Sequence, residues 1–180
     1  MLMVGLRMHK FSFSGSEKSF LPGFEHKSGI HETESAIVDA DSEAILPGDL
    51  VIASKSSNMG DILVKKATSS TTNTDVVRGF AMKKTYIPSY ETEKYLPGEV
   101  VPIRRRGEVV VTLDTSYTTP KIGHYVFFKD GKLVQDKNGK GGVQVGRIKD
   151  ISISTSSKVV LLDAQIGHEY DTSGNRKFSS

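Results

Sequence analysis

The sequence predicts an all-β fold, a small antiparallel β-barrel or sandwich of about ten short strands at roughly 8–12-residue spacing, with an extended N-terminal arm and a short polar C-terminal tail. Three observations predict it. A turn phrase recurs ahead of apolar runs, as Leu46-Pro47-Gly48-Asp49-Leu50-Val51 and again as Leu96-Pro97-Gly98-Glu99-Val100-Val101. Runs rich in β-branched and aromatic residues succeed one another from residue 46 to residue 166, with turn residues between them. Helical periodicity is almost missing. In the phrase itself, Pro holds φ near −65° and Gly accepts positive φ, which suits the two central positions of a type II turn.

The elements run in order along the chain. Asp49–Ser54 is a first strand, and Asp61–Ala67 a second after a Ser-Ser-Asn-Met-Gly turn. Thr68–Thr74 is a polar loop. Asp75–Met82 resumes as strand, with Gly79 marking a bulge or a close approach. Residues 83–95 form a longer connection carrying Tyr86, Tyr90 and Tyr95. Gly98–Ile103 and Gly107–Leu113 read as two strands broken at Arg104-Arg105-Arg106-Gly107. Val109, Val111 and Leu113 fall on one face and Val110 and Thr112 on the other, so both faces of that strand are expected to be covered. Ile122–Phe128 and Lys132–Gln135 flank Asp130-Gly131, a hairpin signal. Lys137–Gly142 is a flexible loop, and Val143–Ile148 and Lys158–Ala164 close the domain.

Three regions are expected: an arm over residues 1–45, a β domain over 46–166 and a polar tail over 167–180. Apolar residues make up 37% of the chain and aromatics 8%, with no Trp. That is lean for one globule, so part of the chain is expected to lie outside the core. The arm holds Phe11, Phe13, Phe20 and Phe24 among Gly, Ser, His and Glu. It also holds a third phrase, Leu21-Pro22-Gly23, with no β run after it. Four Phe in an aperiodic segment fit either an arm docked on a neighbour or packing on the chain's own domain. The arm carries four basic and seven acidic side chains, whereas the chain as a whole is +3, so the middle is basic. No Cys is present, which excludes disulfides and thiolate metal sites. The opening apolar run before Arg7 is too short for a signal h-region or a membrane span, so a soluble protein used without secretion is expected.

No catalytic set emerges, so no enzyme, no cofactor and no metal are expected. The histidines, His9, His26, His31, His124 and His168, form no HxH or HExxH pattern. No GxSxG elbow or phosphate-binding GxxxxGK[ST] is present, and Gly139-Lys140-Gly141-Gly142 lacks the Ser/Thr and helix that phosphate cradling needs. The basic constellation is Lys83-Lys84 with Arg104-Arg105-Arg106. In a regular strand Arg104 and Arg106 share a face and Arg105 takes the other. With Tyr and Phe nearby this would make a nucleic-acid-binding barrel. It also reads as a plain edge or turn that resists strand-to-strand aggregation.

The order of phrases carries a family resemblance. Val77-Arg78-Gly79-Phe80-Ala81 and Val145-Gly146-Arg147-Ile148 fit two V-x-G positions. Gly123-His124-Tyr125-Val126 fits a Gly-Asp-x-V-Tyr phrase shortened by one residue, with His for Asp. With the Gly-Glu-x-V turn between them, residues 46–166 resemble the cement or decoration (head-stabilising) proteins of tailed-bacteriophage capsids. The resemblance implies a non-enzymatic virion protein, made in the host cytoplasm and placed on the capsid outer surface. It implies the major capsid protein and neighbouring copies, as a homotrimer, for partners, with no membrane and no nucleic acid among them. Phe11, Phe13, Phe20, Leu21, Phe24, Arg104, Arg105 and Arg106 are the interface candidates. The alternatives are a nucleic-acid-binding β-barrel and a tail or baseplate β module.

Overall fold

The computed structural model describes residues 22–23, 31–54, 62–71, 75–84, 93–135, 142–151, 158–166, 169–170 and 176–177. Among them every regular element is a strand. β1 (Glu32–Val38), β2 (Leu50–Ala53), β3 (Leu63–Lys66), β4 (Val77–Ala81) and β5 (Val100–Thr112) come first. β6 (Tyr125–Lys129), β7 (Lys132–Val134), β8 (Val143–Asp150) and β9 (Val159–Gln165) complete a nine-stranded sheet. Two short strands, β10 (Glu169–Tyr170) and β11 (Arg176–Lys177), pair antiparallel with each other.

The order β1-β3-β2-β4-β5 closes on itself, because β1 also pairs with β5. The result is a five-stranded barrel. The β1–β3 pair is parallel, and β1–β5, β2–β3, β2–β4 and β4–β5 are antiparallel. From the far half of β5 the sheet continues through β9, β8, β6 and β7. Closure removes the open edge at β1, and β7 remains the edge of the extension.

β5 differs from expectation. It is one strand of 13 residues and not two strands with a break. Its first half pairs with β1 and β4, and its second half, from Arg106, pairs with β9. Gly107, at φ 100°, lies where the strand passes from one set of neighbours to the other. The residues that looked like a turn are the bend that joins barrel to extension. β1 also differs, since no strand was expected before residue 46. The arm expected over residues 1–45 therefore contributes a strand to the sheet. Ala36 and Val38 point inward, while Glu32 and Glu34 carry its polar half.

Two cores result. Ala36, Val38, Ile45, Val51, Val64, Ala81, Tyr95, Val101 and Ile103 fill the barrel. Leu50 and Phe80 face the other way and join Val109, Val111, Leu113, Tyr117, Val126, Phe128, Val145, Ile148, Val160 and Leu162 in a larger core. β2 and β4 are thus walls buried on both faces, which is why they read as continuous apolar runs and not as alternation. β5 repeats the pattern: Val110 and Leu161 pack on the face opposite Val109 and Val111, as the sequence predicts. Gly79 serves both purposes read for it. The register skips Arg78 opposite β2, and a Cβ at Gly79 would collide with the Arg104 backbone. Asp130 and Gly131 join β6 to β7 with positive φ at both, the hairpin turn expected there.

Candidate functional site

The two Leu-Pro-Gly-acid phrases fold into matching turns at one end of the barrel. Gly48 and Gly98 have φ of 86° and 84°, as type II turns require. Each acidic residue closes its own turn. Asp49 N–H donates to Leu46 O at 3.0 Å, and the Asp49 carboxylate accepts Leu46 N–H at 2.8 Å. Glu99 N–H donates to Leu96 O at 3.0 Å, and the Glu99 carboxylate accepts Leu96 N–H at 2.6 Å. A lysine neutralises each acid: Lys66 on Asp49 at 3.0 Å and Lys84 on Glu99 at 3.1 Å. The backbone bond from Leu96, assisted by Lys84, holds the Glu99 carboxyl below its usual value.

The likeness extends to their surroundings. Gly48 N–H donates to Ala81 O and Ala81 N–H to Asp49 O; Gly98 N–H donates to Val38 O and Val38 N–H to Glu99 O. Ile45 and Tyr95, just before the turns, exchange both backbone bonds at 3.0 and 2.8 Å. The barrel therefore contains two similar units, β1-turn-β2 and β4-turn-β5, that meet at the Ile45–Tyr95 bridge, with β3 outside both. Tyr95 is buried and donates its hydroxyl to Met82 O at 2.7 Å. Burial pushes that phenol up to about 12.

The third Leu-Pro-Gly phrase breaks the likeness. Gly23, at φ 79°, donates its N–H to Val110 O at 2.8 Å and accepts Lys83 N–H at 2.9 Å. It thus sits between β5 and the residue chain that leaves β4. A Cβ built on Gly23 would lie 2.5 Å from Pro47 Cβ, and one on Gly48 would lie 2.7 Å from Pro22 Cβ. Two Pro-Gly pairs are stacked face to face, with no room for a larger residue at either glycine. At Gly98 the corresponding space is open, with nothing among the described residues within 4 Å. Leu96 and Val100 beside it are 51% and 60% exposed.

The arginine cluster is arranged differently from the simple alternation. The β1–β5 register shifts so that Arg105 is the extra residue between Arg104 and Arg106. Arg104 is buried, opposite Phe80 on β4. Arg105 and Arg106 both reach Glu32, at 3.3 and 3.4 Å. Arg78 makes a two-pronged pair with Glu34, at 2.8 and 2.7 Å. Lys83 pairs with Glu93 at 3.3 Å, and Lys84 is the partner of Glu99. Lys83, Lys84, Arg105 and Arg106 are held by carboxylates of the same chain and Arg104 is buried, which weakens the nucleic-acid reading. Of the acidic partners, Glu32 and Glu34 lie in the segment expected to be an arm, and the sequence reading pairs them with no arginine. Their alternation with Thr33 and Ser35 ahead of Ala36-Ile37-Val38 was the available signal.

Phe11, Phe13, Phe20, Leu21 and Phe24 lie outside the described residues, as do Tyr86 and Tyr90. Tyr125 is half exposed under the Arg147 guanidinium, while Phe128 is in the larger core. His124 plays a structural part: its carbonyl accepts Ile148 N–H and its Nδ1 lies 3.3 Å from Gln135 Nε2. Among the described residues no group of three or more His, Cys, Asp or Glu is placed to hold a metal ion.

Residues 17–164 match the model of a protein family described as XM1 gp53 minor capsid protein. The chain belongs to that family. It is a phage structural virion protein. The matched span takes in the Pro22-Gly23 contact, β1 and the whole nine-stranded sheet but for Gln165, the last residue of β9. A chain in the solved capsid of Myoviridae phage XM1 has the same fold, with a TM-score of 0.59 and 14% identity over 81% of this chain and 90% of that one. The head fiber gp8.5 N base of bacteriophage phi29 matches at a TM-score of 0.45 and 13% identity, over 76% of this chain and 95% of that one, too loose a likeness to bear on the fold. No curated protein matches the chain.

Proposed function

We propose that this chain binds the outside of an assembled phage capsid and stabilises it by bridging major capsid subunits. Membership of a minor capsid protein family is the observation that carries this reading. Two structural features support it. The barrel and its extension make a preformed body with two cores, so little ordering cost falls on binding. The chain upstream of β1 is held to that body at Pro22-Gly23, which leaves the residues before it as an arm with a fixed origin. Phe11, Phe13, Phe20, Leu21 and Phe24 are the proposed contacts of that arm, and Arg105 and Arg106 lie on the body's surface as further candidates.

The mechanism is linkage. A protein that binds the lattice and not its separated subunits stabilises the lattice by mass action. Each buried Phe contributes roughly 1.5–3 kcal/mol gross, before the cost of ordering the arm. A homotrimer would present three arms at once and gain avidity without new kinds of contact.

The test is co-sedimentation with assembled shells and, separately, with unassembled major capsid protein. The expected result is saturable binding to shells, little to subunits, and a raised temperature of shell disruption. Equal binding to free subunits, or no change in shell stability, would refute the proposal.

A further inference from the structure

The Pro22-Gly23 contact has the geometry of a clasp. Three independent features build it: a donated and an accepted backbone bond at Gly23, a positive φ, and a stack against Pro47 and Gly48 that excludes any Cβ. Its partners come from three separate places, the end of β4, the middle of β5 and the turn before β2. A segment that merely happened to lie on the surface would not need a residue of one type on each side of the contact.

We infer that Gly23 is a positioning residue that fastens the N-terminal arm to the body and sets the point from which the preceding residues reach a partner. This rests on the proposed role of the arm. Without the clasp, the next strand-held residue among those described is Glu32, at the start of β1. The tether from Phe20 to a fixed point then lengthens from about 2 residues to about 12, and effective concentration, falling as roughly the −3/2 power of length, drops about tenfold. The second turn shows that the clasp is specific. Gly98 belongs to a turn of the same construction, yet nothing among the described residues lies within 4 Å of where its Cβ would be.

The test uses full-length chains: wild type, Gly23→Ala, Phe11→Ala/Phe13→Ala, and all three changes together. Amide exchange at Lys83 reads the clasp, and co-sedimentation with assembled shells reads its use. Gly23→Ala is expected to speed Lys83 exchange at least tenfold and to weaken shell binding about tenfold. In the Phe11→Ala/Phe13→Ala background the same change should weaken binding less than twofold, because little arm binding remains to position. Pro22→Ala, which keeps the glycine and removes the ring over Gly48, should act in the same direction and more weakly. An unchanged Lys83 exchange rate in Gly23→Ala would overturn the inference. So would an equal loss of binding in both backgrounds, which would mark a general structural effect. If the Phe changes alone leave shell affinity intact while Gly23→Ala frees the Lys83 amide, the arm reading falls and takes the positioning role with it, and the fastening itself stands.

Discussion

The turns at residues 46–49 and 96–99 share a sequence, a backbone conformation and a set of hydrogen bonds, yet one is covered and the other bare. Local chemistry does not separate them. The path of the chain beyond the neighbouring strand does. Beyond Ala81 the chain continues to Lys83, whose N–H meets Gly23 O. Beyond Val38 it turns away at Asp39, whose carboxylate accepts Asp41 N–H and the Ser54 hydroxyl and whose carbonyl accepts Ser42 N–H. The first of these bonds, and after it that from Ser54, holds the Asp39 carboxyl below its usual value. Among the described residues the second turn thus has no counterpart of the Lys83–Gly23 bond. Two copies of one motif acquire different duties through a difference two residues past a strand end.

The largest effect is expected where the two units meet. Tyr95→Ala should cost about 3–5 kcal/mol, because it empties a buried ring site in the barrel core and strands the Met82 carbonyl. Tyr95→Phe, which keeps the ring, should cost about 0.5–1.5 kcal/mol. Denaturant unfolding of both variants separates the packing of the bridge from its hydrogen bond.

The comparison itself is sharpened by paired glycine changes. Gly98→Ala forces an alanine into positive φ and should cost about 1–2 kcal/mol. Gly48→Ala carries the same backbone cost and adds a collision with Pro22, so about 1–3 kcal/mol more is expected. Equal costs at the two positions in denaturant melts would mean that the Pro-Gly stack contributes nothing to stability.

A smaller effect distinguishes the acids. Glu99 titrates below its ordinary value of 4.5 in the folded chain, since the Leu96 N–H and then Lys84 favour its charged form. A depressed carboxyl contributes stability that is present above the unfolded value and lost as pH falls through the folded one. Glu99→Gln should thus be less stable than wild type near neutrality, with the gap closing below about pH 4.5. Stability measured from pH 7 down to pH 3 checks this. A gap that stays constant over that range would assign the turn's stability to geometry and not to charge.

Much of this was legible because it is local. The Leu-Pro-Gly-acid turns, the Gly79 bulge and the Asp130-Gly131 hairpin each arise from a few adjacent residues. The features that were not legible depend on distant partners. Glu32-Thr33-Glu34-Ser35 carries no apolar alternation to announce a strand, because its charge is answered by Arg78, Arg105 and Arg106, residues far along the chain. Arg104–Arg106 looked like a break for the same reason. Without β1 in place, three adjacent cations have no neutralising face, and a turn or a phosphate site is the natural reading. The isolated Leu21-Pro22-Gly23 was visible as a phrase without a strand. That it docks on another such phrase is a three-dimensional fact with no trace in either segment alone.

The most direct test of the central claim is imaging of purified virions by electron cryomicroscopy at a resolution that shows strands. The account predicts the five-stranded barrel on the outer face of the shell, over contacts between major capsid subunits, with the chain before Pro22 crossing such a contact. Density for this fold inside the shell or on the tail, or an arm folded wholly onto its own barrel, would contradict it.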